Sequence, residues 1–438
     1  MEDLKMKKLI GKRAVTAGLA AMMLLTGCAK NAPAPTQTKT LTNDPQVKAE
    51  INLDAVATQK FDEDKMNAGY GEYTFKMLAA VAANAKKANV MISPASIMMA
   101  LDMCAAGAKD ETLKELNDLF AKDSDPLEQQ AFAAELMKRI NNAQKVDFAC
   151  ANAIWCNENV LGDKVNATYV NYVKKTFEAE FRAEKFNADT HSGINKWVDE
   201  KTNHMIDKIL DQPLNSRTAM VLVNAIRFEG KWKNSYDEDH ILTKDFKGTN
   251  GTKKVKMLAS TENVYFSSDK ATGFIKFYEG DEYGFLAILP NDEKVSANDF
   301  VKNFSYEDYK KFIKNRQGVK VIAEMPEFKS DYFTELKPIL QALGVKQAFD
   351  QDAANFKGIA DNHPENIYIT SVLHKTHIEV DRKGTKAAAV TAVRMEANAA
   401  MEPVEEPKRV ICDRPYVYAI VERSTMNPIF IGTVNNAG

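Results

Sequence analysis

The chain of 438 residues has little of what would mark it as a specialised class of protein. Five cysteines are too few for a disulfide scaffold, and 20 glycines and 14 prolines exclude a collagenous or low-complexity chain. Neither charge is in excess, since 58 Lys and Arg face 60 Asp and Glu. A protein that binds nucleic acid by neutralising phosphates needs a basic excess, so we expect no nucleic-acid partner.

The common catalytic motifs are absent as well. The sequence has no G-x-S-x-G elbow, no Walker A run, no H-E-x-x-H and no G-x-G-x-x-G. His374 and His377 are three residues apart, which on a strand places them on opposite faces and makes them a poor metal pair. We therefore expect no enzyme activity, no metal site and no cofactor.

The N-terminus has the pattern of a targeting segment. A basic segment at 5–13 precedes an apolar run at 14–25, which is shorter than the roughly 20 residues that span a bilayer. This pattern predicts a signal peptide at 1–27. Leu25-Thr26-Gly27-Cys28 resembles the lipobox of bacterial lipoprotein precursors, which implies lipidation of Cys28. An accidental cysteine near an ordinary secretory cleavage site is the alternative.

A polar segment separates this lipobox from the rest of the chain. Residues 28–58 begin with prolines and alternating threonines and lack apolar periodicity, as is typical of a flexible tether. We predict that residues 59–438 form a single domain. The lipid implies a bacterial lipoprotein held at the outer membrane or cell surface, or facing the periplasm.

Helical patterns dominate the first half of the domain and strand patterns the second, which predicts a mixed α+β fold. Apolar residues at helical spacing predict helices at 67–83, 93–106, 111–121, 125–142, 167–177, 194–210 and 332–343. Apolar or alternating runs predict strands at 146–155, 220–228, 261–266, 273–277, 285–289, 318–325, 376–380, 416–421 and 429–434.

The most unusual stretch is 384–395, Gly-Thr-Lys-Ala-Ala-Ala-Val-Thr-Ala-Val-Arg-Met. If this stretch is a strand, one of its faces begins with Thr385 and Ala387 and carries no charge. The opposite face carries Lys386 and Arg394, and then Glu396 just beyond the stretch. Small residues on the uncharged face would let this strand enter an existing sheet. Residues 385–400 are also good helix formers, so an alanine-rich helix is the second interpretation.

This stretch resembles the hinge and reactive-centre loop of the serpins, a family of serine protease inhibitors. Further segments match the family in order from residue 61 to residue 434. They are Asn89 to Ile97, Ala151-Asn152-Ala153-Ile154-Trp155, Ile194 to Thr202, Leu222 to Trp232, Met325-Pro326-Glu327-Phe328, Leu336 to Phe349, Ser371 to Lys375, Asp413-Arg414-Pro415-Tyr416 and Ile429 to Val434.

The resemblance implies a fold of three β-sheets and about nine helices, with an exposed reactive-centre loop at about 382–412. It implies a suicide-type inhibitor whose cleaved loop inserts into the main sheet. The implied hinge residues are Gly384, Thr385, Ala387, Ala388 and Ala389. By the same resemblance, Ser93, Ser96, Asn195 and His374 form a polar cluster beneath the strands that part, and Trp232 lies near the top of that gap.

The loop also departs from the family pattern. Arg382 and Lys386 stand where family members usually have glutamate. The resemblance implies a scissile bond fourteen residues past Gly384, at Asn398-Ala399, and the alternatives are Ala397, Ala400, Met401 and Arg394.

Small and medium apolar neighbours favour an elastase-like or subtilisin-like target, with cysteine proteases as a further class. The resemblance implies a monomer that forms a covalent acyl complex with its target. The alternative is a non-inhibitory serpin that acts as a cell-surface binding or scaffold protein.

Overall fold

The structure is a computed structural model and describes residues 50–85, 88–161, 165–215, 218–360, 366–385 and 406–438. These residues all fall within one compact unit, Val47–Gly438. Nine of their α-helices have six residues or more, and a tenth, α5, is a single turn. The helices are α1 (Glu63–Asn84), α2 (Pro94–Ala105), α3 (Asp110–Phe120), α4 (Pro126–Asn141), α5 (Glu158–Leu161), α6 (Ala167–Phe177), α7 (Thr190–Lys201), α8 (Ala297–Lys302), α9 (Tyr306–Lys314) and α10 (Lys337–Ala342).

The strands form three sheets, which confirms the predicted α+β fold. They are β1 (Val90–Ile92), β2 (Val146–Asn157), β3 (Glu180–Glu184), β4 (Met220–Lys231), β5 (Ile241–Gly248), β6 (Gly251–Glu262), β7 (Tyr265–Ser267), β8 (Ala271–Phe277), β9 (Tyr283–Pro290), β10 (Val321–Pro326), β11 (Phe328–Glu335), β12 (Ile369–Val380), β13 (Gly384–Thr385), β14 (Lys408–Ile411), β15 (Tyr416–Glu422) and β16 (Pro428–Val434).

The main sheet has the order β11-β12-β13-β4-β2-β3 and carries the candidate site. The second sheet has the order β1-β16-β15-β9-β8-β7, and the third has the order β14-β10-β6-β5. Below the two-residue strand β13, β12 and β4 pair directly and in parallel from Ile369–Met220 to His377–Arg227.

The two faces of the main sheet pack against different cores. Leu222 and Ile226 of β4 belong to the large inner core, which the second sheet and α2 share. Val221 and Val223 point to the other side, where α7 covers them with Trp197 in a separate outer core. Alternate residues of β4 thus face opposite cores, as the period of two in a strand requires.

Helix α2 runs through the interior and contacts both β4 and β16. All twelve of its residues are buried. Pro94 occupies its first turn, and the Ser93 hydroxyl caps its N-terminus by accepting a hydrogen bond from the Ser96 amide at 3.3 Å. Ser93 and Ser96 are therefore buried, because they lie at the N-terminus of a helix that is buried along its whole length.

Three sequence predictions of elements were wrong. The predicted strand at 261–266 spans the end of β6 at Glu262 and the start of β7 at Tyr265. The predicted helix at 332–343 is the edge strand β11 followed by α10. Tyr332, Phe333 and Thr334 pair with β12, and the helix begins only at Lys337, with Pro338 in its first turn. The predicted helix at 194–210 ends at Lys201, since Asn203 and His204 adopt positive φ angles of 53° and 60°.

Three cysteines of the described part of the chain are buried. Cys104, Cys156 and Cys412 are buried free thiols, and burial raises the pKa of each above its ordinary value. Within the described ranges, no helix combines the length and apolarity needed to cross a membrane.

Candidate functional site

The hinge predicted from sequence lies at one end of the main sheet, between its two central strands. Gly384 and Thr385 form the short strand β13. Thr385 pairs antiparallel with Val380 of β12 and with Gly230 of β4, and Gly384 pairs with Lys231. The direct pairing of β12 with β4 ends at His377–Arg227, so Gly384 and Thr385 occupy the point where these strands separate.

Thr385 faces the inner core. It is fully buried, and its hydroxyl lies 2.7 Å from the hydroxyl of Tyr278. Tyr278 stacks on Trp232 with ring centroids 4.6 Å apart and an interplanar angle of 11°. The predicted residue Trp232 therefore lies beside the hinge.

A tight turn connects β12 to the hinge, and Asp381 holds it. The Asp381 carboxylate accepts hydrogen bonds from the amides of Lys383 at 2.7 Å and Gly384 at 3.1 Å. Trp232 fastens the same turn to β4, because its indole N–H donates to the Asp381 carbonyl at 2.8 Å and its amide donates to the Lys383 carbonyl at 3.0 Å.

Gly384 is needed for close packing. A Cβ atom added at this position would lie 2.1 Å from the carbonyl oxygen of Gly230. A glycine at this hinge position therefore has a steric reason, because any larger residue would meet the backbone of β4.

Deeper in the sheet, a row of polar side chains crosses the boundary between β12 and β4. His374 of β12, Asn224 of β4 and Asn152 of β2 stand opposite one another on the inner face. Nδ1 of His374 donates to Oδ1 of Asn224 at 2.6 Å, and Asn224 donates to Oδ1 of Asn152 at 2.6 Å. Asn224 also donates to the hydroxyl and to the carbonyl of Ser96.

Ser93 completes this central polar cluster, which consists of Ser93, Ser96, Asn152, Asn224 and His374. The Ser93 amide donates to Nε2 of His374 at 3.2 Å, and the Ser93 hydroxyl donates to the carbonyl of Ile429 at 2.8 Å. Because one ring nitrogen accepts and the other donates, His374 is neutral. Burial lowers the pKa of His374 to about 3.

The structure brings Ser93, Ser96 and His374 together but does not bring Asn195 to them. Asn195 lies on α7, which covers the outer face of the main sheet. Its amide oxygen accepts hydrogen bonds from the amides of Ile209 at 2.8 Å and Leu210 at 2.9 Å, and its nitrogen donates to the Leu210 carbonyl at 2.7 Å. The assignment of Asn195 to the polar cluster is therefore corrected: it fastens the segment that follows α7.

Several predicted residues lie outside the described residues. The implied loop at 382–412 is described only at its two ends, as the hinge turn and as β14, which pairs in parallel with β10. The structure does not describe the predicted residues between these ends or the predicted lipidation site. These residues are Ala387, Ala388, Ala389, Arg394, Ala397, Asn398, Ala399, Ala400, Met401 and Cys28.

Four residues of the site, Asn152, Asn224, Tyr278 and Asp381, have roles that no sequence motif predicts. Asn224 offered a signal, because it interrupts the apolar run Met220-Val221-Leu222-Val223 of a strand with nine consecutive buried residues. The roles of Tyr278 and Asp381 depend on contacts between distant segments. No group of three metal-ligating side chains occurs in the parts of the chain that the structure describes.

Comparisons with known proteins agree with this architecture. The profile of the family described as "Serpin (serine protease inhibitor)" matches residues 68–437. An uncharacterized serpin-like protein of Thermococcus kodakarensis is 31% identical over 373 residues, which cover 83% of this chain and 84% of the relative. Human neuroserpin is 28% identical, over 79% of this chain and 85% of its own length.

A solved structure shows the same fold. The crystal structure of the thermophilic serpin tengpin in its native state superposes with a TM-score of 0.79 and 34% sequence identity. The match covers 86% of this chain and 95% of tengpin. With the family profile spanning most of the chain, the protein belongs to the serpin family.

Proposed function

We propose that the protein is a suicide-type inhibitor of serine proteases that acts as a monomer, through cleavage of its reactive-centre loop and insertion of that loop into the main sheet. Serpins are generally protease inhibitors rather than enzymes. The observation that carries the proposal is the position of Gly384 and Thr385, already paired with both β12 and β4 where these strands separate.

The proposed chemistry begins with the target protease. Its serine hydroxyl attacks the carbonyl carbon of the scissile residue, for which we propose Asn398. The amide bond to Ala399 breaks, the new amine leaves with the proton, and an ester joins the protease to Asn398. Insertion of residues 386–395 between β12 and β4 would then carry the tethered protease along the sheet before water hydrolyses the ester.

The hinge chemistry favours insertion. The hydroxyl of Thr385 contacts that of Tyr278 at the point where β12 and β4 separate. In the sequence that follows, the uncharged face of the predicted inserting strand begins with the small residues Ala387 and Ala389. Each backbone unit that enters gains hydrogen bonds on both sides, which supplies the driving force.

We propose elastase-like or subtilisin-like enzymes as targets, because Ala397, Ala399, Ala400 and Met401 suit a small or medium apolar pocket. The alternative is a non-inhibitory serpin that serves as a cell-surface binding or scaffold protein. The basic residues Arg382 and Lys386, which replace the usual glutamates, are the feature that favours this alternative.

Incubation with a panel of purified proteases tests the proposal. We expect an SDS-resistant complex with at least one protease, together with a released C-terminal fragment whose mass identifies the scissile bond. We also expect cleavage to raise the melting temperature of the protein markedly. If every protease cuts the loop and is released in active form, and if the cleaved protein has the same melting temperature as the uncleaved one, the non-inhibitory alternative is correct.

Two variants of one residue serve as controls for the mechanism. Thr385→Arg places a charge on the inner face at a fully buried position, so we expect it to turn the inhibitor into a substrate. Thr385→Ser keeps the hydroxyl beside Tyr278 and should still inhibit. Equal inhibition by both variants would contradict insertion at this position.

We also propose that Cys28 carries the lipid of a bacterial lipoprotein and holds the domain at the outer membrane or cell surface, or facing the periplasm. Fractionation of cells that express the full chain, with mass spectrometry of the mature N-terminus, tests this. Cys28→Ala should move the protein from the membrane fraction to the soluble fraction. An unmodified cysteine on the mature protein would refute the anchor.

A further inference from the structure

A buried lysine lies beside the residues that fasten the hinge turn (residues 381–383). Lys276 interrupts the apolar run Phe274–Phe277 of β8, and only 4% of its side chain is exposed. Its Nζ donates to Oε1 of Glu262 at 3.0 Å, and 14% of the Glu262 side chain is exposed. Burial of an ammonium group is costly unless other contacts replace its water, so the surroundings of Lys276 must compensate for this cost.

The ammonium group also contacts two aromatic rings. Nζ of Lys276 lies 4.3 Å from the ring centroid of Tyr236 and 5.8 Å from that of Trp232. The two rings meet edge to face, with centroids 6.4 Å apart and an interplanar angle of 89°. A cation that is shielded from water interacts with aromatic faces more strongly than an exposed cation does. Lys276 therefore stabilises Trp232 and Tyr236 in their positions relative to each other.

These two aromatic residues bind three successive carbonyl groups of the hinge turn. The indole N–H of Trp232 donates to the carbonyl of Asp381, and the amide of Trp232 donates to that of Lys383. The amide of Tyr236 donates to the carbonyl of Arg382 at 2.9 Å. Every residue between β12 and β13 thus has its carbonyl group bound by one of the two aromatic residues.

The ion pair also joins elements of different sheets. Lys276 belongs to β8 of the second sheet and Glu262 to the end of β6 in the third, while Trp232 directly follows β4 of the main sheet. The hydroxyl of Ser260 donates to the same carboxylate oxygen of Glu262 at 2.7 Å, which fixes the position of the anion. The lysine therefore lies where the three sheets meet, next to the hinge.

We propose that Lys276 is a positioning residue for the hinge and acts through Trp232 and Tyr236. Its buried charge keeps both aromatic residues against the hinge turn, and the turn in its place keeps β13 between β12 and β4. The consequence for inhibition rests on the proposed function, because only an inhibitor needs the hinge in position for insertion. The competing role for Lys276 is to neutralise Glu262 and nothing more.

Amide hydrogen exchange of the uncleaved full chain, resolved to single residues, tests the role. The amides of Trp232 and Tyr236 report directly, because both donate to the hinge turn. We expect Lys276→Met to accelerate their exchange by about tenfold or more, since methionine lacks the charge that contacts both rings. The same variant leaves the carboxylate of Glu262 without its cation, which lowers the stability of the whole protein.

Adding Glu262→Gln to Lys276→Met separates these two effects. The double variant has no unpaired carboxylate, so its denaturation midpoint should return toward that of the wild type. Exchange at Trp232 and Tyr236 should stay fast, because the cation is still missing. Slow exchange at these amides in the double variant would mean that Lys276 only neutralises Glu262, which overturns the proposal.

Lys244→Met is the matched control. Nζ of Lys244 donates to Oε1 of the buried residue Glu324 in the third sheet at 2.7 Å. Among the described residues, no hydrogen bond joins either of them to the hinge turn. This variant should therefore lower the denaturation midpoint without a selective increase in exchange at Trp232 and Tyr236. An equally selective increase in Lys244→Met would refute the specific role of Lys276.

Titration against a protease that the wild type inhibits gives a second measurement. We expect the double variant to consume about twofold or more inhibitor for each protease molecule inactivated, because a displaced hinge delays insertion while the ester hydrolyses. An unchanged ratio would overturn the link between Lys276 and inhibition. A wild-type chain that inhibits no protease would refute the proposed function, whereas the exchange experiment would still decide whether Lys276 positions the hinge.

Discussion

At the scale of single residues, burial decides the ionisation of two polar groups near α2. His374 is held neutral between the amide of Ser93 and the side chain of Asn224. Asp102 is a fully buried residue of α2, and burial raises the pKa of its carboxyl group well above its usual value. The two groups give the fold opposite dependences on pH.

His374 makes the fold sensitive to acid. Its pKa is about 3 in the folded state, against an ordinary value of about 6.5, so the unfolded chain binds the proton first as pH falls. Its contribution to stability is complete above pH 6.5 and is lost as pH falls toward 3. We expect a loss of about 2–3 kcal/mol by pH 4.5 in the free energy of unfolding.

Denaturation midpoints at pH 7 and pH 4.5 for wild type and His374→Gln would measure this contribution. The amide can still donate and accept, but it does not titrate, so the variant should lose less stability over this interval. The same acid sensitivity in both proteins would show that other groups cause it.

Asp102 has the opposite effect. Gln129 donates to its Oδ1 at 2.8 Å, whereas Oδ2 has no partner among the described residues. Because the folded-state pKa is raised, stability is greatest below about pH 4 and falls as pH rises toward the folded-state pKa. We expect Asp102→Asn to be more stable than wild type at pH 8 by about 1 kcal/mol or more, with the gain shrinking toward pH 4.

Chemical denaturation at pH 5 and pH 8 would measure this gain. Asp239→Asn alters an exposed aspartate and is the control, for which no pH-dependent gain is expected. A loss of stability in Asp102→Asn at pH 8 would mean that the buried carboxyl makes a favourable contact as an anion.

At the scale of elements, α7 and the segment after it cover the outer face of the main sheet. Trp197 and Ile194 of α7 pack with Ile206 and Ile209 over Val223 of β4. Asn195 links the two parts of this cover through three hydrogen bonds to the backbone of residues 209 and 210.

Removal of the Asn195 amide should loosen this cover locally. Asn195→Ala leaves two amides and one carbonyl without their partner, which we expect to cost about 1–3 kcal/mol. Hydrogen exchange should accelerate at Ile209 and Leu210 and stay unchanged at Ser93. Asn195→Asp keeps both acceptor interactions and should show a smaller effect. Faster exchange around His374 instead would place Asn195 in the central polar cluster after all.

Elements with a strong pattern could be predicted from sequence, and those without one could not. Helix α6 was predicted with its observed bounds, because Asn166 caps it and its apolar residues follow the helical period. The edge strand β11 was mistaken for a helix, since its pairing with β12 joins residues 38 to 52 positions apart in the sequence. Short helices such as α8, with only six residues, give too few periods to detect.

At the scale of the whole molecule, insertion would reorganise the central polar cluster. Direct pairing of β12 and β4 runs from Ile369 to His377 and includes the hydrogen bond from His374 to Asn224. Thr391 lies outside the described residues. If the proposed insertion continues the register of Thr385, Thr391 enters between His374 and Asn224. The Thr391 hydroxyl can accept a hydrogen bond from His374 and donate one to Asn224. The inserted strand would thus replace the hydrogen bond from His374 to Asn224 that it breaks.

Thr391→Val tests this register in the cleaved protein. Valine has a similar shape but would leave the buried His374 donor and Asn224 acceptor unpaired, at about 1–3 kcal/mol for each group. We expect a lower melting temperature for the cleaved form and no change in the uncleaved form. Thr391→Ser retains the hydroxyl and should resemble wild type. A normal cleaved form in Thr391→Val would mean that the loop inserts in another register or only in part.

The family of this protein, its buried strands and the small residues of its hinge can be read from the amino-acid sequence, because they depend on local pattern and on the order of motifs along the chain. Which polar residues contact one another depends instead on how distant elements pack. Asn195 and Asn224 are the same residue type on elements with buried faces, yet α7 covers the outer face of the main sheet and Asn224 points to the inner one. A sequence pattern specifies which side of an element is buried, whereas the packing of distant elements specifies what that side contacts.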